Sequence, residues 1–212
     1  MRIGIFGGSF DPVHLGHLIA AETAREQAGL DRVLFVPAAR PPHKLDRTLA
    51  PAADRRVMLD LATGGHSAFA VSSIELDRDG LSYTVETLRA LSSRFPADRL
   101  VLLLGPDAVR GLPTWHEPAE IARLAELVTV ERESLDDASR LLSDDVLIGL
   151  LGRAAVEQLV ESRVRMPAVG IRATSIRGAV LAGRSIRYLV PASVAAYIAH
   201  HGLYAEPDAR QA

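Results

Sequence analysis

The stretch RIGIFGGSFDPVHLGH, residues 2–17, predicts a strand, a turn and the start of a helix. Residues 2–6 are mainly apolar and predict a buried strand. Gly7 and Gly8 follow directly and allow the backbone to approach a ligand closely. A helix is predicted from Leu15 onward, and phosphate is favoured at the positively polarised N-terminus of a helix. The stretch therefore indicates an anion site at the first strand–helix turn.

The rest of the chain repeats this alternation of strands and helices. Further apolar runs predict strands that are buried on both faces; they cover 32–36, 100–104 and 127–130. Helical patterns cover 15–28 and about 52–63, 83–94, 117–125, 135–163, 174–182 and 191–201.

This order of elements predicts an α/β fold, a doubly wound, mostly parallel sheet with a small C-terminal helical part. We expect one domain over 1–204 and a flexible tail over 205–212. We also expect substrate loops over 37–50 and 106–116, because ligands of such sheets bind at the carboxyl ends of the strands.

The composition of the chain excludes several classes of protein and several kinds of functional site. The 212 residues are 48% hydrophobic and 24% charged, with a formal net charge of −2, which is ordinary for a soluble globular protein. This balance does not suit a general nucleic-acid-binding surface, so phosphate recognition is expected to be local. The absence of cysteine excludes disulfides, thiolate metal sites and cysteine nucleophiles. With no signal-peptide pattern and no apolar run of membrane-spanning length, we expect a cytoplasmic protein with no membrane partner.

His14 and His17 are the candidate functional residues of the opening stretch. They lie three positions apart and share a helix face once the helix has begun, where the helix dipole favours neutral imidazole rings. The stretch lacks the third glycine of the dinucleotide fingerprint and the Gly-Lys-Ser/Thr of a P-loop. Two alternatives are a zinc site, for which no third ligand is evident, and a glycine turn with two surface histidines.

At this point the sequence resembles the nucleotidylyltransferase superfamily, whose signature combines a Ser or Thr, a His and a following Gly-His; Ser9, His14 and Gly16-His17 carry it. More narrowly, the chain resembles the bacterial nicotinate-mononucleotide adenylyltransferases. The further matching segments are PPHK (41–44), SYTVETL (82–88), GPD (105–107), WH (115–116), ATSIR (173–177), VPASVAAYI (190–198) and HGLY (201–204).

The resemblance implies a Rossmann-like nucleotidylyltransferase fold and an enzyme of NAD biosynthesis. Such an enzyme transfers the adenylyl group of ATP to nicotinate mononucleotide, giving nicotinate adenine dinucleotide and pyrophosphate. The attacking phosphate oxygen is already anionic, so catalysis rests on positioning and charge stabilisation rather than on a protein nucleophile. Mg²⁺ is expected to arrive with ATP and to need no dedicated protein site. A homo-oligomer is a further possibility.

The resemblance also implies the site residues. The catalytic residues would be His14, His17, Lys44 and Arg177. The ATP-binding residues would be Gly7, Gly8, Ser9, Phe10, His14, His17, Gly105, Asp107, Thr174, Ser175, Ile176 and Arg177. The nicotinate mononucleotide-binding residues would be Lys44, Tyr83, Thr84, Trp115 and Arg132.

Several of these residues have a plainer structural interpretation. Lys44 could be an ordinary surface lysine, and Asp107 could cap a helix. Trp115 could cover the core, and Arg177 could lie on a solvated helix face. Ser82, just before the predicted helix, could be its N-cap.

One segment departs from the family pattern, which usually reads ISSTxIR. Here residues 171–177 read IRATSIR, so Arg172 and Ala173 stand where the family has two serines. A phosphate-binding hydroxyl is lost there and a cation is added. Two alternatives therefore remain open: another adenylyl transfer on the same scaffold, to nicotinamide mononucleotide or phosphopantetheine, and a non-catalytic nucleotide-binding paralogue.

Overall fold

The computed structural model describes residues 1–42, 49–132 and 138–205. Lys44, most of the expected tail over 205–212 and the first residues of the helix expected over 135–163 lie outside the described residues. None of the described helices combines the length and apolar character required to span a membrane.

The described residues contain six parallel strands in one sheet, in the order β3-β2-β1-β4-β5-β6. The strands are β1 (Arg2–Gly8), β2 (Arg32–Pro37), β3 (Phe69–Val71), β4 (Arg99–Leu104), β5 (Glu126–Arg132) and β6 (Val164–Met166). This is the doubly wound arrangement in which the strand order reverses between β1 and β4. The predicted fold class is confirmed.

Helices cover both faces of the sheet. They are α1 (Leu15–Gln27), α2 (Ala52–Thr63), α3 (Thr84–Arg94), α4 (Pro106–Gly111), α5 (Pro118–Leu124), α6 (Asp145–Leu151), α7 (Arg153–Glu161), α8 (Ala173–Leu181) and α9 (Ala192–His200). Short 3₁₀ helices cover Leu112–Thr114 and Ala138–Ser143. The last two helices form the expected C-terminal helical part.

The predicted elements differ from the structure in three places. The edge strands β3 and β6 were not predicted, because each has only three residues. The loop expected over 106–116 instead contains α4 and a 3₁₀ turn. The helix expected over 135–163 is divided into shorter pieces, and Gly152 with a φ of 85° separates α6 from α7.

The apolar strands bury side chains on both faces of the sheet. In β4, Leu100, Leu102 and Leu104 pack beneath α3 to α7, whereas Val101 and Leu103 pack on the opposite face with α1, α2, α8 and α9. A run of apolar residues without alternation is the pattern expected of such a strand. In the part of the chain that the structure describes, both faces of the sheet are thus covered by helices.

Gly4 in the middle of β1 allows this packing. An added methyl group there would lie 2.7 Å from Leu30 Cδ1, with Val33 and Leu103 side chains at 3.4 and 3.5 Å. Gly4→Ala is therefore expected to lower the free energy of unfolding by about 1–3 kcal/mol through overpacking. Urea denaturation measures this change.

Gly178 supplies a control for the same substitution. It lies inside α8, and an added methyl group would meet nothing within 4 Å. Gly178→Ala should raise stability by up to about 1 kcal/mol, because alanine is the better helix former. If both variants change stability in the same direction, the packing argument for Gly4 is wrong.

Candidate active site

Two cavities open at the carboxyl edge of the sheet, on either side of the point where the strand order reverses. The first has a volume of about 550 Å³ and the second about 390 Å³. Phe6 of β1 and Leu103, Leu104 and Gly105 at the end of β4 line both of them. Two ligands, one in each cavity, would therefore meet where β1 and β4 end.

The second cavity contains the two histidines of the opening stretch. His14 caps the N-terminus of α1, and its ring stacks on that of His17 at a centroid distance of 3.7 Å and an angle of 22°. The backbone N–H of His14 donates to His17 Nδ1 at 3.2 Å. Because Nδ1 accepts this bond, the neutral His17 ring carries its proton on Nε2.

His14 is more buried than His17. Its exposed fraction is 7%, and its Nδ1 has no hydrogen-bond partner among the described residues. Burial lowers the pKa of His14 to about 4. The ring is therefore neutral at pH 7, as the sequence predicted, and an anion in this cavity would favour its charged form.

Gly8 and Gly16 make room for the rings around the histidines. A methyl group on Gly8 would lie 3.1 Å from the Phe10 ring, and one on Gly16 would lie 3.1 Å from the His14 ring. Phe10 itself is buried and packs edge-on against His17 at 5.1 Å. Phe10, predicted to contact ATP, thus lies behind His17 and supports it.

The first cavity brings together most of the residues predicted to bind the mononucleotide. Tyr83, Thr84 and Trp115 line it, together with His116, whose ring lies 4.6 Å from that of Tyr83. Thr84 begins α3, so the helix end that lines this cavity carries N–H groups without an intrahelical acceptor. Trp115 also packs against the core. It can therefore both cover the core and present its ring to the first cavity.

Ser82 does not cap α3, because Tyr83 occupies the N-cap position. The Ser82 hydroxyl oxygen instead accepts from the backbone N–H groups of Ala39 and Arg40, at 3.0 and 3.1 Å. This contact fixes the segment after β2 against the start of α3. The wall of the first cavity is thereby held in place.

Glu75 is a buried acid in the first cavity that the sequence did not single out. Only 7% of it is exposed, and its carboxylate accepts a 2.6 Å hydrogen bond from the Thr87 hydroxyl. The Ser82 hydroxyl also bonds to it. Burial raises the pKa of Glu75, and these hydroxyls oppose the shift. The acid therefore holds the first turns of α3 and the residue before its N-cap in the lining of the first cavity.

Gly7, Gly8 and Ser9 line the first cavity, whereas Gly105 belongs to both. Methyl groups added at Gly7 or Gly105 would meet nothing within 4 Å, so the backbone there faces open space. The three residues predicted to cradle ATP phosphates, Gly7, Gly8 and Ser9, thus lie in the cavity of Tyr83 and Trp115 and not in that of the histidines.

The second cavity also contains the charged residues Asp107, Arg132 and Arg172. Asp107 is not a helix cap, because Gly105 occupies the N-cap of α4; its side chain is 87% exposed and pairs with Arg110 at 3.2 Å. Arg132, predicted to bind the mononucleotide, lies with His14 and His17 rather than with Tyr83, Thr84 and Trp115.

The ATP-binding residues predicted at the start of α8 differ in their exposure and in their contacts. Thr174 and Ser175 lie in the exposed first turn. Ile176 is fully buried in the core, and its N–H donates to Arg172 O. Arg177 donates to Asp11 O at 2.7 Å, so it does not lie on a solvated face. Lys44, the remaining catalytic candidate, lies outside the described residues.

A metal site built from protein side chains is not found in the described ranges. They contain no cluster of three or more His, Asp or Glu residues that could hold an ion. In the second cavity, Asp107 is the acidic residue among those that line the space. A cation bound with a polyphosphate would therefore take most of its ligands from phosphate and water.

Sequence reasoning missed a buried charge network beneath the glycine turn. Arg55 is 1% exposed and donates to the carbonyls of Ser9, Ala39 and Ala50, at 2.7, 3.4 and 3.0 Å. Burial lowers the pKa of Arg55, and nearby Asp11 opposes that shift. A usable signal was present, because Arg55 shares a helix face with the apolar Met58 and Leu59.

Comparisons with known proteins found relatives that cover nearly the whole chain. A model of the cytidylyltransferase-like family matches residues 5–179. A probable nicotinate-nucleotide adenylyltransferase of Thermus thermophilus is 47% identical over 206 residues, covering 96% of this chain and 100% of the relative. A probable enzyme of the same name from Thermomicrobium roseum is 44% identical over 208 residues, covering 98% of this chain and 94% of the relative.

A solved structure shares the fold at low sequence identity. It is the Plasmodium falciparum nicotinic acid mononucleotide adenylyltransferase complexed with NaAD. Its TM-score to this chain is 0.72, its identity is 16%, and the match covers 96% of this chain and 97% of the other. This likeness concerns the fold.

The burial of His14 predicts a pH dependence of stability. An unfolded histidine titrates near pH 6.5, whereas His14 in the folded chain titrates at about 4. Between these values the unfolded chain binds a proton that the folded chain does not, so acid lowers the free energy of unfolding. The expected loss from pH 7 to pH 5 is about 2 kcal/mol.

Urea denaturation at both pH values, for the natural chain and His14→Asn, measures the contribution. The variant lacks the titrating group, so its loss between pH 7 and pH 5 should be smaller by that amount. Equal losses in the two proteins would show that His14 titrates normally in the folded state.

Proposed function

The chain belongs to the nicotinate-nucleotide adenylyltransferase family, and we propose that it transfers the adenylyl group of ATP to nicotinate mononucleotide at the junction of its two cavities. The observation that carries this proposal is the pair of cavities that share Phe6 and Gly105, with the stacked histidines in one of them. ATP would occupy the second cavity and the mononucleotide the first. The P. falciparum enzyme complexed with NaAD supports nucleotide substrates for this fold.

In the proposed reaction, a 5′-phosphate oxygen of nicotinate mononucleotide attacks the α-phosphorus of ATP. A new P–O–P linkage forms between the two phosphates. The bond between the α-phosphorus and the oxygen that bridges to the β-phosphorus breaks, and pyrophosphate leaves with the electron pair. The protein supplies no nucleophile. Its contribution is to hold the two phosphates near Gly7 and Gly105 and to stabilise the charge that develops.

His17 is the proposed donor to the transferring phosphate. Its Nδ1 accepts from the His14 N–H, so Nε2 carries a proton that can be donated to a phosphate oxygen. His14, Arg132 and Arg172 line the same cavity and would lie against the α-, β- and γ-phosphates. Thr174 and Ser175 at the start of α8 would add hydroxyl and amide donors.

The family uses a divalent metal ion with ATP, and we propose that the ion is Mg²⁺. It would neutralise phosphate charge when bound. Asp107 is the carboxylate among the described residues that line the second cavity, and it would accept a hydrogen bond from one of the waters of the ion.

The first cavity suits the pyridine ring and its carboxylate. Trp115 offers a face for stacking, and the first-turn N–H groups of α3 at Thr84 favour an anion. Nicotinate, an anion, should therefore be preferred to the neutral nicotinamide.

Pyrophosphate release tests the proposal directly. The purified protein, with ATP and Mg²⁺, is expected to release pyrophosphate with nicotinate mononucleotide and much less with nicotinamide mononucleotide. Equal turnover of the two acceptors would leave the reaction in place and contradict the carboxylate site at α3. No turnover of either, by folded protein that binds ATP, would contradict the proposed function.

One substitution in each cavity separates the two binding roles. His17→Ala is expected to lower kcat about 10²–10³-fold, because a donor to the transition state is lost. Trp115→Ala should instead raise the KM for nicotinate mononucleotide, with a smaller effect on the KM for ATP, since Trp115 lines only the first cavity among the two. Steady-state kinetics with each substrate varied in turn measures both effects.

Each variant serves as the control for the other. If Trp115→Ala raises the KM for ATP as much as that for the mononucleotide, the assignment of substrates to cavities is wrong. If His17→Ala leaves kcat within a factor of two, His17 does not act on the transferring phosphate.

A further inference from the structure

Asp11 lies in the middle of residues 7–17, which we call the glycine-rich stretch. It is a buried carboxylate at the meeting point of four segments. It is 3% exposed. Its Oδ1 accepts a 2.7 Å hydrogen bond from the Tyr204 hydroxyl and a 3.2 Å bond from the Ala50 N–H. Its Oδ2 lies 3.4 Å from Arg177 Nη1. The C-terminal segment, α8 and the residues before α2 therefore all converge on this one side chain.

The backbone around Phe10 is held from both sides by guanidinium groups. Arg55 Nη1 donates to Ser9 O at 2.7 Å, and Arg177 Nη1 donates to Asp11 O at 2.7 Å. Phe10 between them has a φ of 46°, in the left-handed region. Residues other than glycine adopt this backbone conformation uncommonly. Such a conformation persists only where the surroundings impose it.

The position of Phe10 is passed on to His17. The Phe10 ring packs edge-on against the His17 ring at 5.1 Å and against Phe6 at 5.7 Å. On its other side it covers Gly8, which has no side chain to resist a shift. A movement of the Asp11 backbone would thus reach the imidazole that faces the second cavity.

We propose that Tyr204 is a positioning residue for adenylyl transfer: its hydroxyl fixes the Asp11 carboxylate, and through the Phe10 backbone it orients His17. This inference rests on the proposed function for the role of His17. Tyr204 touches neither cavity, so its effect on the reaction is indirect.

The chemistry of Asp11 explains why one hydroxyl matters. Oδ1 has a donor in Tyr204 and another in Ala50, whereas Oδ2 has the ion pair with Arg177 but no hydrogen bond among the described residues. Without the Tyr204 hydroxyl, rotation toward Arg177 becomes the more favourable orientation of this buried carboxylate. Arg177 also holds Asp11 O, so the backbone beside Phe10 would move with it.

The chain provides a matched control in Tyr197. Its hydroxyl also donates to an aspartate at 2.7 Å, here Asp54 of α2, from the same C-terminal region. Neither Tyr197 nor Asp54 lines either cavity. Tyr204→Phe and Tyr197→Phe each remove one oxygen and keep the aromatic ring.

The test compares kcat, substrate KM values and Tm of the full-length chain and both variants. Tyr204→Phe is expected to lower kcat about tenfold or more, because small displacements of a positioned group reduce rate steeply. The KM for nicotinate mononucleotide should change little, since Tyr83, Thr84 and Trp115 line the first cavity from other segments of the chain. Tyr197→Phe should leave kcat within a factor of two, although either variant loses about 2–4 °C in Tm through the lost hydrogen bond.

Kinetics is measured at a temperature well below both Tm values, so that a loss of folded protein does not imitate a loss of rate. A kcat for Tyr204→Phe within a factor of two of the natural chain overturns the proposal. An equal fall of kcat in both variants also overturns it, because the effect would then be general to the C-terminal segment.

A second readout separates this proposal from the proposed function. The imidazole Cε1–H signals in ¹H–¹³C spectra, assigned with His14→Asn and His17→Asn, report the ring environments without any substrate. Should the natural chain show no turnover, a shift of the His17 signal in Tyr204→Phe but not in Tyr197→Phe would support the positioning, and unchanged signals in both would overturn it.

Discussion

The hydrogen bonds of the buried Arg55 guanidinium are the interactions on which the site depends. It is almost completely buried and donates to three backbone carbonyls, at Ser9, Ala39 and Ala50. A buried cation is costly unless its hydrogen bonds are made and an opposite charge lies near, and here Asp11 supplies the charge. The cost is offset only when the carbonyls of Ser9, Ala39 and Ala50 all lie within hydrogen-bond distance of the guanidinium. This requirement fixes the three segments that carry them relative to one another. The fold thus uses a buried charged side chain to position the edge of the sheet where the two cavities open.

The long apolar strands could be predicted from the sequence, and the short edge strands could not. The strands β1, β2, β4 and β5 are buried on both faces, and their continuous apolar runs between glycine and proline residues are typical of such strands. The strands β3 and β6 have three residues each and pair along one edge only, so tertiary contact decides them more than composition does. Likewise, Pro106 begins a segment predicted as a loop, although proline at the first position of a helix favours helix formation.

The candidate site divides in the same way between local and distant contacts. The pair His14 and His17 could be found because the residues are neighbours on one helix. The placement of Arg132 beside them, and not beside Tyr83, depends on where β5 ends relative to β1 and β4, which the local sequence does not contain. The buried position of Ile176 could have been inferred, since it lies in an amphipathic helix with Ala179 three residues later.

The charges around the second cavity suggest how the altered segment at α8 fits the proposed reaction. Arg177, expected to meet ATP, is held by Asp11. The cations that line the second cavity are instead Arg132 and Arg172, and both histidines there can donate to an anion. In a partly desolvated space a fixed cation stabilises a polyphosphate more strongly than a neutral hydroxyl does. On the proposed function, Arg172 would therefore offset the missing serine hydroxyl, while Arg177 is left to hold the backbone that supports His17.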